Sequence, residues 1–186
     1  QIITGQICIV SSVSIFVSSA SNLESVILVA PRIEIEAKTQ GQFQAFASDS
    51  LIVGKSVKLY YPTILALCAG KLAPDFAGMV IREGAKIMGD VFASTSGDDF
   101  QKHVTISIEK NAVVYGSVYS TELVDLKATV IGSVTCAKFV LKTNSAVYEN
   151  HLMNAVIDRT KRNEAYVGSL LSNSESGIKS VVQWLE

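Results

Sequence analysis

The chain has 186 residues, 48% of them hydrophobic, which is enough for one substantial domain with its own core. Sixteen Lys and Arg against 17 Asp and Glu leave a net charge of -1, so the chain lacks the bulk positive field by which nucleic acid or an anionic membrane surface is held. Apolar runs such as 26–30 and 63–69 fall far short of the roughly 20 residues that cross a bilayer as a helix.

The chain opens at Gln1 without an initiator Met and already in a strand pattern, which leaves room upstream for a signal peptide, a membrane anchor or further coils. Membrane attachment is expected only through such an anchor. From there a short unit returns: a small residue, a β-branched residue two further on, then glycine, then valine. It reads Ala85, Ile87, Gly89, Val91, then Ala112, Val114, Gly116, Val118, then Ala128, Val130, Gly132, Val134. Looser copies centre on Val13-Ile15, Ile33-Ile35, Val57-Leu59 and Ala146-Tyr148, so successive copies lie 20, 24, 28, 27, 16 and 18 residues apart. A unit of this length cannot bury its apolar side until a neighbour stacks on it, which is the mark of a solenoid.

Within each copy the residues alternate as in a strand, with Ile33, Ile35 and Ala37 interleaved by Glu34, Glu36 and Lys38. Pro31, Pro62 and Pro74 fall near candidate corners, and the stretches 70–78 and 94–103 read as loops bulging from a corner. Unequal spacing favours corners that tolerate insertion, so the expected fold is all-β: a right-handed parallel β-helix of about seven irregular coils over residues 1–171. Residues 172–186 change character, with Ile178, Val181, Val182 and Leu185 spaced three and four apart, and are expected to cap the rod or form a tail. Open coil ends invite another chain, so self-association is expected unless an end is capped.

Stacking makes equivalent positions neighbours. One outward position gives Glu34 beside Lys58, an exposed ion pair worth at most about 1 kcal/mol. The next collects Phe16, Glu36, Tyr60, Met88, Tyr115, Ile131 and Glu149. Phe16, Tyr60, Met88, Tyr115 and Ile131 would then form an apolar interaction ladder. It would be covered by the chain's own loops or the segment around Trp184, by an envelope protein partner, or by sugar rings stacked on its aromatics.

Catalytic chemistry has thinner support. His103 and His151 are the only histidines, too few for a three-histidine zinc site, and each reads as a surface or corner residue. Asp98 and Asp99, with Asp90 nearby, are the best acid cluster and the candidate residues of a carbohydrate-binding or carbohydrate-active alternative. No phosphate-cradling glycine loop and no nucleophile elbow occur, so no cofactor, metal or enzymatic activity is expected. Asn111 and Asn144 match Gly84 in register, where the backbone bends and left-handed conformation is tolerated. Cys8, Cys68 and Cys136 lie far apart without a C-x-x-C pair and are expected to be free, buried thiols.

The stretch V-I-R-E-G-A-K-I-M-G-D-V, from Val80 to Val91, resembles the bactofilins, bacterial polymer-forming β-helix proteins with repeats of the type I-x-x-G-A-x-V-x-G-x-I. Residues 126–134 and 140–152 match more loosely. This resemblance implies end-to-end filament formation and a cytoplasmic, cytoskeletal setting. The coils before Ala112, longer than those of bactofilins, look more like surface β-helices of the bacterial envelope. Residues 44–53 and 145–150 are similar to envelope proteins whose β-helical part follows an N-terminal anchor. The leading expectation is a non-enzymatic structural or interaction module of the bacterial cell envelope, assembling through its coil ends or the apolar ladder.

Overall fold

A computed structural model describes residues 2–70, 73–95, 103–143, 145–164 and 166–168. Among these the protein is all-β, with no helix, and its strands form one curled mixed sheet. They are β1 (Ile2–Val10), β2 (Ser14–Val17), β3 (Asn22–Ile35), β4 (Gln40–Val53), β5 (Lys58–Ala69), β6 (Phe76–Ile81), β7 (Lys86–Thr95) and β8 (His103–Ile108), followed by β9 (Val113–Tyr115), β10 (Ser117–Ser120), β11 (Leu123–Leu126), β12 (Thr129–Val130), β13 (Ser133–Thr135), β14 (Lys138–Lys142), β15 (Val147–Glu149) and β16 (Val156–Ile157).

All strand pairs are parallel except β14 with β15, and the chain visits three ladders in turn. The first joins Leu23, Gly41, Leu59, Ile87, Val114, Val130 and Ile157. The second joins Ile9, Leu28, Ala45, Leu65, Val91, Val118 and Val134. The third joins Ile15, Ile33, Leu51, Met79, Ile106, Val124 and Phe139. Period-2 alternation turns these residues, apart from exposed Ile157 at the last pass, into one common core, where Ile33, Leu51, Leu59, Leu65, Met79, Ile87 and Ile106 are fully buried. Gly41 breaks the first ladder's run of side chains, and the Phe43 ring fills the space its missing Cβ leaves.

The register corrects the expected alignment. Ile15, not Val13, faces Ile33, while Lys58 and Leu59 face Gln40 and Gly41 on a different ladder. Glu34 lies between Phe16 and Ile52, so the predicted ion pair with Lys58 does not form. On the third ladder successive partners are 18, 18, 28, 27, 18 and 15 residues apart, so the first passes are regular. Nearly all the excess sits between the second and third ladders, in the connections from β5 to β6 and from β7 to β8, the two stretches read as loops.

The corner from the third ladder back to the first is alike in four passes, after β3, β4, β6 and β8. It carries a left-handed residue three positions after the last inward side chain: Lys38, Ser56, Gly84 and Asn111, with φ of 66°, 56°, 72° and 61°. Asn111 therefore does match Gly84, as its sequence position suggests, whereas Asn144 lies outside the described residues. The cysteines are free but not buried: Cys8 and Cys68 are exposed and Cys136 is half-buried. Cys8 and Cys68 alternate with the inward residues Ile9, Leu67 and Ala69 and so point outward. The segment 172–186 and the boundary before it lie outside the described residues.

Candidate functional site

The repeat glycines build the corner between the first and second ladders. A Cβ on Gly89 would overlap the carbonyl oxygen of Thr63; on Gly116, that of Gly89; on Gly132, that of Gly116. Each pass rests its backbone on the next glycine, so only glycine permits the ordinary strand spacing here.

One pass earlier the corner is built differently. Leu59 and Thr63 face Ile87 and Gly89, so β5 spends two more residues on the turn than β7 does. The surplus pushes Tyr60, Tyr61 and Pro62 outward, and the Thr63 hydroxyl donates to the Tyr60 carbonyl at 2.6 Å to close the loop. Tyr61 then stands beside Met88 and Tyr115, which are register partners on β7 and β9.

The strap after β16 covers this place. Its first turn is held by Asp158, which accepts from the Thr160 amide at 2.9 Å and hydroxyl at 2.6 Å and pairs with Lys161 at 3.0 Å. Those contacts, the Thr160 hydroxyl foremost and Lys161 next, hold the Asp158 carboxyl down at about 2. Further on, the Tyr166 hydroxyl donates to Asp90, a nearly buried carboxylate that also accepts the Ser117 amide at 2.8 Å. Burial first, then the hydrogen bond to Asp90 and that carboxylate's charge, raise the Tyr166 hydroxyl above its usual range, so it stays a donor. The Tyr61 hydroxyl donates to the Val167 carbonyl at 3.2 Å, and the Arg162 guanidinium sits 5.0 Å over the Tyr166 ring.

Between strap and corner lies an open cavity of about 620 Å³ lined by Tyr61, Met88, Tyr115, Lys161, Asn163 and Tyr166. Tyr61 and Tyr166 are tilted at 56° with centroids 5.9 Å apart, so they form two walls rather than a closed stack. Met88 is half-buried, while Tyr115 and Tyr61 remain 38% and 44% exposed.

Of the predicted ladder, then, Met88 and Tyr115 come together here. Tyr60 is exposed beside the cavity, its hydroxyl donating to Gln40 at 3.0 Å, and its neighbour Tyr61 takes the lining position. Ile131 is half-buried after β12 and does not line the cavity. Phe16 belongs to the third ladder, on β2 beside Glu34, and cannot continue the stripe. Asp98 and Asp99, like Trp184, lie outside the described residues.

Sequence reasoning missed Tyr61, Lys161, Asn163 and Tyr166. The Tyr60-Tyr61-Pro62 run was the available signal for the bulge; Tyr166 stands alone in a polar stretch that carries no period. His103 is more engaged than a plain surface residue: its Nδ1 lies 3.0 Å from Glu122, its ring stacks on exposed Phe76 at 5.4 Å, and Glu122 also accepts the Val104 amide at 3.1 Å. Among the described residues no three His, Cys, Asp or Glu side chains gather as a metal site. Comparison with protein-family models, curated proteins and solved structures gave no match.

Proposed function

We propose that the chain is a right-handed parallel β-helix serving as a non-enzymatic interaction module of the bacterial cell envelope, and that it takes its ligand in the cavity between the glycine corner and the strap. The β-helix reading is supported by three parallel ladders visited in rotation as far as β14 and by long insertions that fall at one corner. The envelope setting rests on the sequence likeness of residues 44–53 and 145–150. The observation that carries the binding role is the cavity itself, an open, aromatic-walled space of about 620 Å³ with a few polar groups at its rim.

End-to-end stacking into filaments has less support. At the last pass β15 runs antiparallel along β14 and interrupts parallel addition on the third ladder, while among the described residues β13 and β16 end the other two ladders.

Methionine methyl labelling tests the binding role, because the chain has only three methionines. Met79 is fully buried and Met153 is exposed and lines a different cavity, which leaves Met88 as a reporter of this one. In a carbon-13 titration with a set of sugars, amines, aromatic acids and short peptides, at least one class should move the Met88 signal saturably while Met79 stays fixed. A Met88 signal unmoved by every class would overturn the assignment of the site.

A further inference from the structure

Resting on that binding role, we infer that the cavity is a subsite for uncharged pyranose rings, so that the module recognises a neutral glycan. The floor and walls are apolar but edged with hydrogen-bonding groups: Met88 beneath, the faces of Tyr61 and Tyr115 accessible, and Lys161 and Asn163 at the rim. Among the described residues the Tyr115 hydroxyl has no hydrogen-bond partner, while those of Tyr61 and Tyr166 are spent on Val167 and Asp90. A pyranose has this same division, a flat C–H face that packs on an aromatic ring and a girdle of hydroxyls that need donors and acceptors.

Charge selects within the sugars. The carboxylate of Asp90 lies directly under the Tyr166 hydroxyl, Lys161 is neutralised by Asp158 at 3.0 Å, and Arg162 is spread over the Tyr166 ring outside the cavity lining. Among the described residues Lys161 is the one cation in the lining and it is opposed, so a uronate, a phosphate or a nucleotide finds no unopposed cation in the cavity wall. A peptide adding as a strand is also disfavoured. Met88 and Tyr115 already sit in β7 and β9, with β7 flanked by β5 and β9, and β9 by β7 and β12, so neither strand offers an edge.

The test is the same methyl titration with cellotetraose, maltotetraose and the tetramer of N-acetylglucosamine as neutral probes and tetragalacturonate as the anionic one. At least one neutral probe should move Met88 saturably, with a dissociation constant of about 1 mM or tighter. Tyr115→Ala should weaken that probe at least tenfold, whereas Tyr115→Phe, which keeps the stacking face, should cost about threefold or less. Equal binding of tetragalacturonate, or no loss in Tyr115→Ala, overturns the inference. If amines, aromatic acids or peptides move Met88 and no sugar does, the glycan assignment falls and the binding cavity stands; if nothing moves it, both fall.

Discussion

Two versions of one corner sit side by side in this molecule. At Gly89, Gly116 and Gly132 the chain turns from the first ladder to the second in the fewest residues, each backbone resting on the one before. At β5 the same turn is two residues longer and throws Tyr60, Tyr61 and Pro62 outward. The tight version supplies a flat floor, the loose one a wall, and this cavity opens where one gives way to the other. A rod with glycine at every corner would have no such step for the strap to cover.

The sharpest way to break the contrast is to place a side chain in the tight corner. Gly116→Ala puts a methyl on the Gly89 carbonyl, backbone against backbone, with strands on both sides preventing retreat. It should lose about 3 kcal/mol or more in urea unfolding, at the upper end of overpacking costs. Gly78→Ala is the control, since on β6 a Cβ at Gly78 meets nothing within 4 Å. That variant should stay within about 1 kcal/mol of the parent. Equal losses at the two positions would mean that the stacked glycines reflect composition and not geometry.

A smaller effect is expected where the two versions of the corner meet. Thr63 is a nearly fully buried polar residue that ties the bulge back through its hydroxyl to Tyr60, and its carbonyl is the surface on which Gly89 rests. Thr63→Val keeps the shape and removes only the donor, so it should cost about 1 kcal/mol. Amide hydrogen exchange should quicken at Tyr60 and Tyr61 and not at Gly116. Quickening that spreads along the glycine column would show that the loose corner is part of the same cooperative unit.

Much of the scaffold was readable because its constraints are local. Alternation at Ile33 and Ile35 gives the buried face, a glycine two residues after Ile87 or Val114 gives the tight corner, and Asn111 in place of Gly84 gives the left-handed bend. Register failed for a physical reason: inward residues on the first and third ladders share one pattern, and a period of two does not say which face it serves. Ile33-Ile35 and Val57-Leu59 look alike, yet they lie on different ladders. The same error put Phe16 into a stripe it does not join. At the site, Met88 and Tyr115 were legible because they stack in register; Tyr61 was displaced by a two-residue bulge and Tyr166 arrives on a strap without regular structure, so neither leaves a periodic trace.

The strap allows the mildest separation of the two regions, by pH. Asp158 is held down at about 2 by Thr160 and Lys161, below its ordinary value of 3.8. A carboxyl whose pKa is lowered by folding stabilises above the unfolded value and stops doing so as pH falls through the folded one. The strap's first turn should therefore be intact at pH 4 and above and loosen as pH approaches about 2, with the Thr160 amide resonance titrating near that lower value. Asp158→Asn should abolish this titration while leaving the amides of Gly89 and Gly116 unmoved, because the glycine column is built from backbone contacts and carries no titrating group of its own. A Thr160 midpoint near 3.8 would show that the turn does not hold Asp158 in solution, and the strap would then be anchored without it, through Tyr166 on Asp90 and Val167 on Tyr61.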